Sequence, residues 1–286
     1  MESEAIDPAG FREAQHEQWD AAAAGWREWS EFTDAAAGHV SERLVELAGV
    51  GPGSRVLDVA AGYGEPALTA ARRAGAEGRV VATDISAEML AFGRERAGAA
   101  GLGNVEFVES DASSLDFPPG SFDAAVSRWG IIFEPDAESA AARIRGFLEP
   151  GARIAIASWG EPDAVPFLSI PMRTAMARLG VPAPPPGTPG PLSRPTPGAL
   201  GGLLEAGGFS EVAVERDEVV FEFDAPERFT AYVRAIAAPI RLMIEQHAGD
   251  AREEAWDEIT RAASDAAGGS TPLRLSNEVL LGSATA

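Results

Sequence analysis
The 286-residue sequence contains no cysteine and no lysine. The first absence excludes disulfides, zinc–thiolate sites and thiol nucleophiles, and with them any chemistry that needs a thiol-ligated metalloid. The second closes Schiff-base catalysis, since all 23 basic residues are arginine. Positive charge is scarce, because 44 acids outnumber those arginines and leave a net charge of −21. A surface of that sign repels nucleic acid and anionic membrane, so a small-molecule partner is expected and neither DNA, RNA nor lipid surface is. The same charge also serves solubility. No apolar run approaches the roughly 20 residues of a membrane span. The N-terminus lacks a basic-then-apolar signal, so the expected location is cytoplasmic. Histidine is limited to His16, His39 and His247, and no metal site is expected. The length suits one large domain or a domain with a sizeable insertion.

What is present is organised around Val56-Leu57-Asp58-Val59-Ala60-Ala61-Gly62-Tyr63-Gly64-Glu65-Pro66. Val56, Leu57 and Val59 read as a strand covered on both faces. Ala60, Ala61, Gly62 and Gly64 strip side chains from the following turn, so that a ligand can lie against the backbone. A helix is expected from about Glu65-Pro66, where a first-turn proline is tolerated. A phosphate-cradling loop needs Lys followed by Ser or Thr, and neither follows Gly64. A dinucleotide turn spaces its glycines G-x-G-x-x-G, which this turn does not. What remains is the D-x-[GA]-x-G-x-G turn of S-adenosylmethionine (SAM) enzymes, or a plain tight turn.

Strands and helices then alternate. Arg79–Asp84 reads as a second strand ending in an acid, about 20 residues after the turn, where a carboxylate can accept both hydroxyls of a ribose. Ile85 would lie against adenine, and Ser86 can cap the helix carrying Met89 and Leu90. Val105–Glu109 is a third strand. Beyond it Asp111 can accept from an adenine amino group and the Ala112 amide can donate to a ring nitrogen, or Asp111 can serve only its own loop. Phe122–Ser127 and Ala152–Trp159 are further strands, separated by a helix over 137–148. This alternation predicts a parallel sheet with ligands over the carboxyl ends of its strands. Before it, residues 11–37 read as one or two helices bearing Trp19, Trp26, Trp29 and Phe32 on one face, and 40–48 as another. That aromatic face either packs on the domain or closes over a ligand. After it come a helix over 165–179, a Pro/Gly-rich connection over 181–197, a helix over 198–206, a strand over 212–223, a helical stretch over 225–267 and a last strand over 273–282. The expected organisation is a leader over 1–10 and a helical lid within 1–49, a core over 50–159, a cap and return helix over 160–210, and final strands over 211–286 with a helical cap inserted at 225–267.

Val56–Ala60, Ala82-Thr83-Asp84-Ile85-Ser86 with Met89-Leu90, Asp111-Ala112, and Phe122-Asp123-Ala124 leading to Leu148-Glu149-Pro150-Gly151 together resemble the successive motifs of class I SAM-dependent methyltransferases. The variant is most similar to the ubiquinone/menaquinone-biosynthesis C-methyltransferase type, and the resemblance covers about 50–159. It implies a Rossmann-like, doubly wound α/β fold with a mostly parallel seven-stranded sheet. It also implies SAM as cofactor and S-adenosyl-L-homocysteine (SAH) as product. By the same resemblance, Asp58 orders the turn and helps hold the methionine amino group, Ala60, Gly62, Tyr63 and Gly64 lie along the methionine and ribose, and Asp84 takes the ribose hydroxyls. Ile85 and Met89 pack on the adenine side, Asp111 and Ala112 read its edge, and Ser127 approaches the amino-acid end. Tyr63 stands where the family usually has a small Thr, which alters that wall.

A sulfonium methyl is electrophilic without help, so the expected work of the protein is positioning and exclusion of water. Trp26, Trp29, Trp129, Phe133 and Trp159 are candidates to line an apolar acceptor pocket, and equally to be core. Arg128 can pair with an acidic substrate group or with a neighbour. His16 on the lid and His247 in the cap are the candidate general bases for a phenol, alcohol or activated carbon. The expected reaction is methyl transfer to oxygen or carbon of a small, largely apolar acceptor such as a natural-product intermediate. The alternative is a cyclisation or other non-methyl reaction in which SAM is a structural or electrostatic element. Lack of Cys closes arsenic methylation. The sequence leaves the acceptor and the oligomeric state open.

Overall fold
A computed structural model describes residues 8–185 and 188–286, with side chains described from residue 10. Helix α1 (Pro8–Leu47) leads into strand β1 (Arg55–Val59), α2 (Ala67–Ala74), β2 (Arg79–Asp84), α3 (Ala87–Ala99), β3 (Val105–Glu109) and β4 (Phe122–Arg128). Next come α4 (Ala137–Phe147), β5 (Leu148–Trp159), α5 (Pro166–Leu179), α6 (Pro197–Ala206) and β6 (Ser210–Phe223). The chain closes with α7 (Pro226–Ile236), α8 (Ala238–His247), α9 (Arg252–Ala266) and β7 (Leu273–Thr285). The strands form one seven-stranded sheet in the order β3-β2-β1-β4-β5-β7-β6. The first five strands are parallel, and β7 runs antiparallel between β5 and β6.

Alternation along each strand divides the core. Val56, Val80, Ala82, Val126 and Ala157 face α1, α2, α5 and α7 to α9, whereas Leu57, Val59, Val81, Ile154 and Ile156 face α4 and α6. Both faces are apolar because both are covered. Local chemistry sets the helix starts. The Ser86 hydroxyl accepts from the Met89 amide at the head of α3, and Asp136 and Thr196 do the same for α4 and α6. The register carries the ends of β1 to β4 to one edge, with Val59 opposite Thr83, Asp84 opposite Glu109 and Asp58 opposite Val126.

Several boundaries differ from expectation, among them β5, which begins at Leu148 rather than Ala152, and β7, which runs on to Thr285. The N-terminal helices are one 40-residue helix, because no proline interrupts the run after its first residue and Gly38 is tolerated within it. The leader expected over 1–10 lies outside the described residues up to position 7, and positions 8–10 belong to α1. The stretch over 225–267 is divided, because Ala237 leaves helical geometry and a short 3-10 turn at Gly249–Ala251 precedes α9.

Helix α1 is held down along its length, and α7 crosses it closely at Gly25. A Cβ built there would stand 2.1 Å from the Ala235 carbonyl oxygen. Gly25→Ala in a free helix gains about 0.5–1 kcal/mol. Here the backbone collision wins, and the substitution is expected to destabilise by about 1–3 kcal/mol in urea unfolding. A stabilised variant would contradict the crossing.

Candidate functional site
The carboxyl edge of the parallel strands gathers the polar groups that the sequence singles out, together with others that it does not. The turn after β1 is tight, with Ala60, Gly62 and Gly64 all at positive φ, of 57°, 53° and 107°. Gly62 and Gly64 adopt this at little cost, whereas Ala60 carries a strain common at functional turns. The Gly62 amide donates to Oδ2 of Asp84 at 2.7 Å, and the Ser86 amide donates to Oδ1 at 2.8 Å. The turn after β1 and the turn after β2 are thus tied by one carboxylate. Burial pushes that carboxyl up to about 6, against the lowering effect of the backbone amides around it and with help from the charge of Asp20. Ile85 is half-buried beside it and Met89 is buried, with its methyl group lying over Gly62.

Asp58 is fully buried one strand away, and neither of its oxygens has a hydrogen-bond partner meeting ordinary geometry. Burial holds it well above the usual carboxylate range, although the Ala67 amide at the start of α2 and the Arg128 guanidinium favour its charged form. An unpaired carboxyl in such a place is a group awaiting a donor.

Helix α1 lies across this edge. Asp20 accepts from the Ser86 hydroxyl at 2.5 Å and pairs with His16 at 3.4 Å. Trp19 meets Phe133 edge to face at 5.3 Å, and Trp26 stacks on Tyr63 at 5.7 Å. Below Trp26 is a buried polar network. The Tyr63 hydroxyl donates to Asp34 at 3.0 Å and accepts from Arg128 at 3.0 Å. Arg128 also donates to Ser41 at 2.9 Å, while Arg96 donates to Asp34 and to the Tyr63 carbonyl. Burial pushes the Tyr63 phenol up to about 12, so it stays neutral in this role. Past Arg128, Trp129 and Trp159 stack almost parallel, with centroids 4.4 Å apart. Trp129 has a φ of 57°, and the indole N–H groups of Trp26 and Trp129 are buried without partners.

Several expected residues have other duties. Tyr63 has its ring and hydroxyl enclosed by Trp26, Arg96 and Arg128. The Ser127 hydroxyl is occupied within the scaffold, donating to the Val59 carbonyl and accepting from the Ile131 amide. Asp111 turns its carboxylate into its own loop, onto Ser113 and Ser114. The Ala112 side chain is buried beside it. Trp29 is core, packed against Tyr232 and Phe32 with Arg228 over its ring. His247 is exposed at the end of α8 and has no hydrogen-bond or ion-pair partner among the described residues. His16 pairs with Asp20, which in turn accepts from Ser86 just past β2. His39 bonds the Glu218 carbonyl on the far flank. Arg128 takes the neighbour option, with Tyr63 and Ser41 as partners.

Asp20, Asp34, Arg96 and Glu134 escape a reading of the sequence. Asp20 carries a faint signal, four residues after His16 on one face of a helix. The others lie in no motif and gain their places only through partners distant in the chain.

Residues 56–151 match a family described as a methyltransferase domain. Over 138 residues the chain is 37% identical to the ubiquinone/menaquinone biosynthesis C-methyltransferase UbiE of Teredinibacter turnerae, a segment covering 48% of this chain and 51% of that one. The chain therefore spans about half the length of the curated relatives it matches. Two solved structures share the fold over most of their length. The YcgJ protein of Bacillus subtilis gives a TM-score of 0.56 at 19% identity, covering 87% of this chain and 98% of its own. The [4+2]-cyclase SpnF gives 0.55 at 19% identity, covering 91% and 93%. At such identities the likeness is one of fold.

The network beneath α1 makes a testable point. Tyr63→Phe removes the hydroxyl that buried Arg128 and half-buried Asp34 both use, and leaves each side chain short of a bond. The expected loss is about 1–3 kcal/mol in chemical unfolding. A variant as stable as the parent would show that the hydroxyl contributes nothing net.

Proposed function
We propose that this chain, whose residues 56–151 match a methyltransferase-domain family, is a class I SAM-dependent methyltransferase that transfers a methyl group from SAM to oxygen or carbon of a small, largely apolar acceptor, and releases SAH. A natural-product intermediate fits that description. The observation that carries the reading is the single carboxylate joining two strand ends, with Gly62 and Ser86 amides on Asp84.

The residues present suit the cofactor. Asp84 uses one lone pair on each oxygen for an amide and keeps acceptor capacity for two ribose hydroxyls. Asp58 offers a buried carboxyl without a partner, which an ammonium group would satisfy. Gly62 and Gly64 let the turn adopt its positive φ and pack against Met89 and Leu68, and Ile85 and Met89 supply apolar surface for a purine. Bound SAM supplies an electrophilic methyl on a sulfonium. The protein's own contribution is alignment of the acceptor, which can be worth about 7–11 kcal/mol, and exclusion of water. Trp26, Trp129 and Trp159 are the candidate walls for an acceptor, with Phe133 and Trp19 closing the side toward β4. The strained Trp129 and the two unpaired indole N–H groups support that assignment, since both features concentrate at binding sites. His16 is the candidate base that the fold brings to this edge.

Calorimetric titration with SAH tests the cofactor part. Asp84→Ala should weaken binding by about 1.5–3 kcal/mol, as for lost charge-assisted bonds. The pH dependence has a definite sign. Asp84 titrates near 6 in the folded chain, so below that pH it is protonated and a poorer acceptor. SAH affinity should fall as the pH drops through about 6. An affinity that is flat from pH 5 to 8 and indifferent to Asp84→Ala would count against the assignment. Transfer of a labelled methyl from SAM to candidate acceptors, with matching SAH release, tests the reaction.

A further inference from the structure
Arg128 ends β4 and is only 8% exposed. A guanidinium so enclosed ordinarily meets a carboxylate, because an unpaired buried charge is costly. Here its hydrogen bonds go to two neutral hydroxyls, Ser41 at 2.9 Å and Tyr63 at 3.0 Å. No carboxylate among the described residues comes within ion-pair distance of it. The acids whose charges face it from further off are otherwise engaged. Asp34 is paired with Arg96, and Glu65 accepts from the Thr69 hydroxyl and lies 3.6 Å from Arg72. Burial holds Asp58 toward its neutral form. Arg96 and Arg72 thus take the two available carboxylates, and the surplus positive charge rests on Arg128. Of the five N–H groups of a guanidinium, two are used here and three are not.

The rings around it repeat the pattern. The Arg128 guanidinium lies 5.7 Å from the centre of the Tyr63 ring and 5.2 Å from that of Trp129. Trp26 stacks on Tyr63, and Trp129 stacks on Trp159. The indole N–H groups of Trp26 and Trp129 are both buried without an acceptor, although a buried indole N–H ordinarily finds one. One run of neighbouring side chains therefore combines flat apolar surface, donors in surplus and a cation without a counter-ion. The complementary ligand is apolar and carries an anionic oxygen group. The planar fork of arginine matches a carboxylate, which accepts two N–H groups at once.

Resting on the reading of this chain as a SAM-dependent methyltransferase, we propose that its acceptor is an apolar carboxylic acid whose carboxylate is held by Arg128. The net charge of −21 repels such a ligand at a distance. Recognition is therefore local, at a buried cation that salt and solvent screen little. The competing occupant is the carboxylate of the cofactor itself, since Asp58 lies on the adjoining strand opposite Val126, two residues before Arg128.

The experiment is calorimetric titration of the full chain, saturated with SAH, with 2-naphthoate and with its uncharged isostere 2-naphthamide at pH 8. SAH affinity and thermal unfolding are measured beside it for every variant. Wild type is expected to prefer the acid by about tenfold or more, the worth of a charge-assisted bond. Arg128→Met is expected to bring the ratio to about one, with SAH affinity within about threefold of wild type. Arg128→Lys keeps the charge and loses the fork, so part of the preference should survive. Wild type that binds SAH without preferring the acid, or without binding either probe, overturns the proposal and leaves the SAM reading intact. Wild type that does not bind SAH removes both. A preference that persists in Arg128→Met overturns the proposal. So does a loss of SAH affinity of about tenfold or more in that variant, which assigns the guanidinium to the cofactor's carboxylate. If Arg128→Met does not fold, Trp129→Phe decides, because it keeps a ring and removes one donor. It should lower the ratio by about threefold or more, and an unchanged ratio overturns the proposal.

Discussion

One buried carboxylate sets the geometry of the strand edge. Asp84 sits where β2 ends and draws in the Gly62 amide from the turn after β1 and the Ser86 amide from its own turn. A charged group in so closed a place is costly unless donors surround it. Two amides are a partial answer, and the carboxyl accordingly titrates near 6 rather than at its ordinary value. The residual acceptor capacity is directed at the space between β1 and β2. In this sense the fold keeps a binding group under tension, and a ligand with hydroxyls relieves it.

The second constraint is α1. A helix of 40 residues gains little from propensity alone and depends on what it packs against. Its middle is fastened by Asp34 and Ser41 to Tyr63, Arg96 and Arg128, which come from three different parts of the core. Isolated surface ion pairs on this chain, such as Arg27–Glu95 with both side chains about half exposed, contribute little by comparison. The Tyr63 network differs because it is buried and because its loss strands charged groups. It fastens the helix to the same turn that presents Gly62, so the cover and the turn it covers share one scaffold.

Charge and aromatic surface divide the work at that edge. Carboxyls gather toward β2 and β3, with Asp20 beside Asp84 and Asp111 beside Glu134. Rings gather toward β4 and β5, where Trp129 and Trp159 stack and Phe167 leans on Trp159 at 5.7 Å. A polar, donor-rich ligand suits the first region and an apolar acceptor the second. Among the described residues, no helix is long and apolar enough to cross a membrane.

Much of this was legible in the chain. Strand β1, the turn at Gly62 and Gly64, the acid ending β2 and the Ser86 cap all depend on neighbours within a few positions, so residue type and spacing suffice to place them. Alternation of strand and helix implied the parallel sheet for the same reason. The duties of individual polar groups were a different matter. Whether Asp111 looks outward or into its own loop turns on Ser113 and Ser114 in three dimensions. Whether Trp29 is a pocket wall or core turns on Tyr232, some 200 positions away, and Tyr63 finds its partners in Asp34 and Arg128. The sequence by itself determined the alternation of strands and helices, the parallel sense of the first strands and the location of the candidate cofactor edge, because these follow from local periodicity and turn chemistry, whereas the order of the strands in the sheet was set by the tertiary fold. Tertiary structure alone decided which carboxyls remain free to accept, because that depends on which distant donors have already taken their lone pairs.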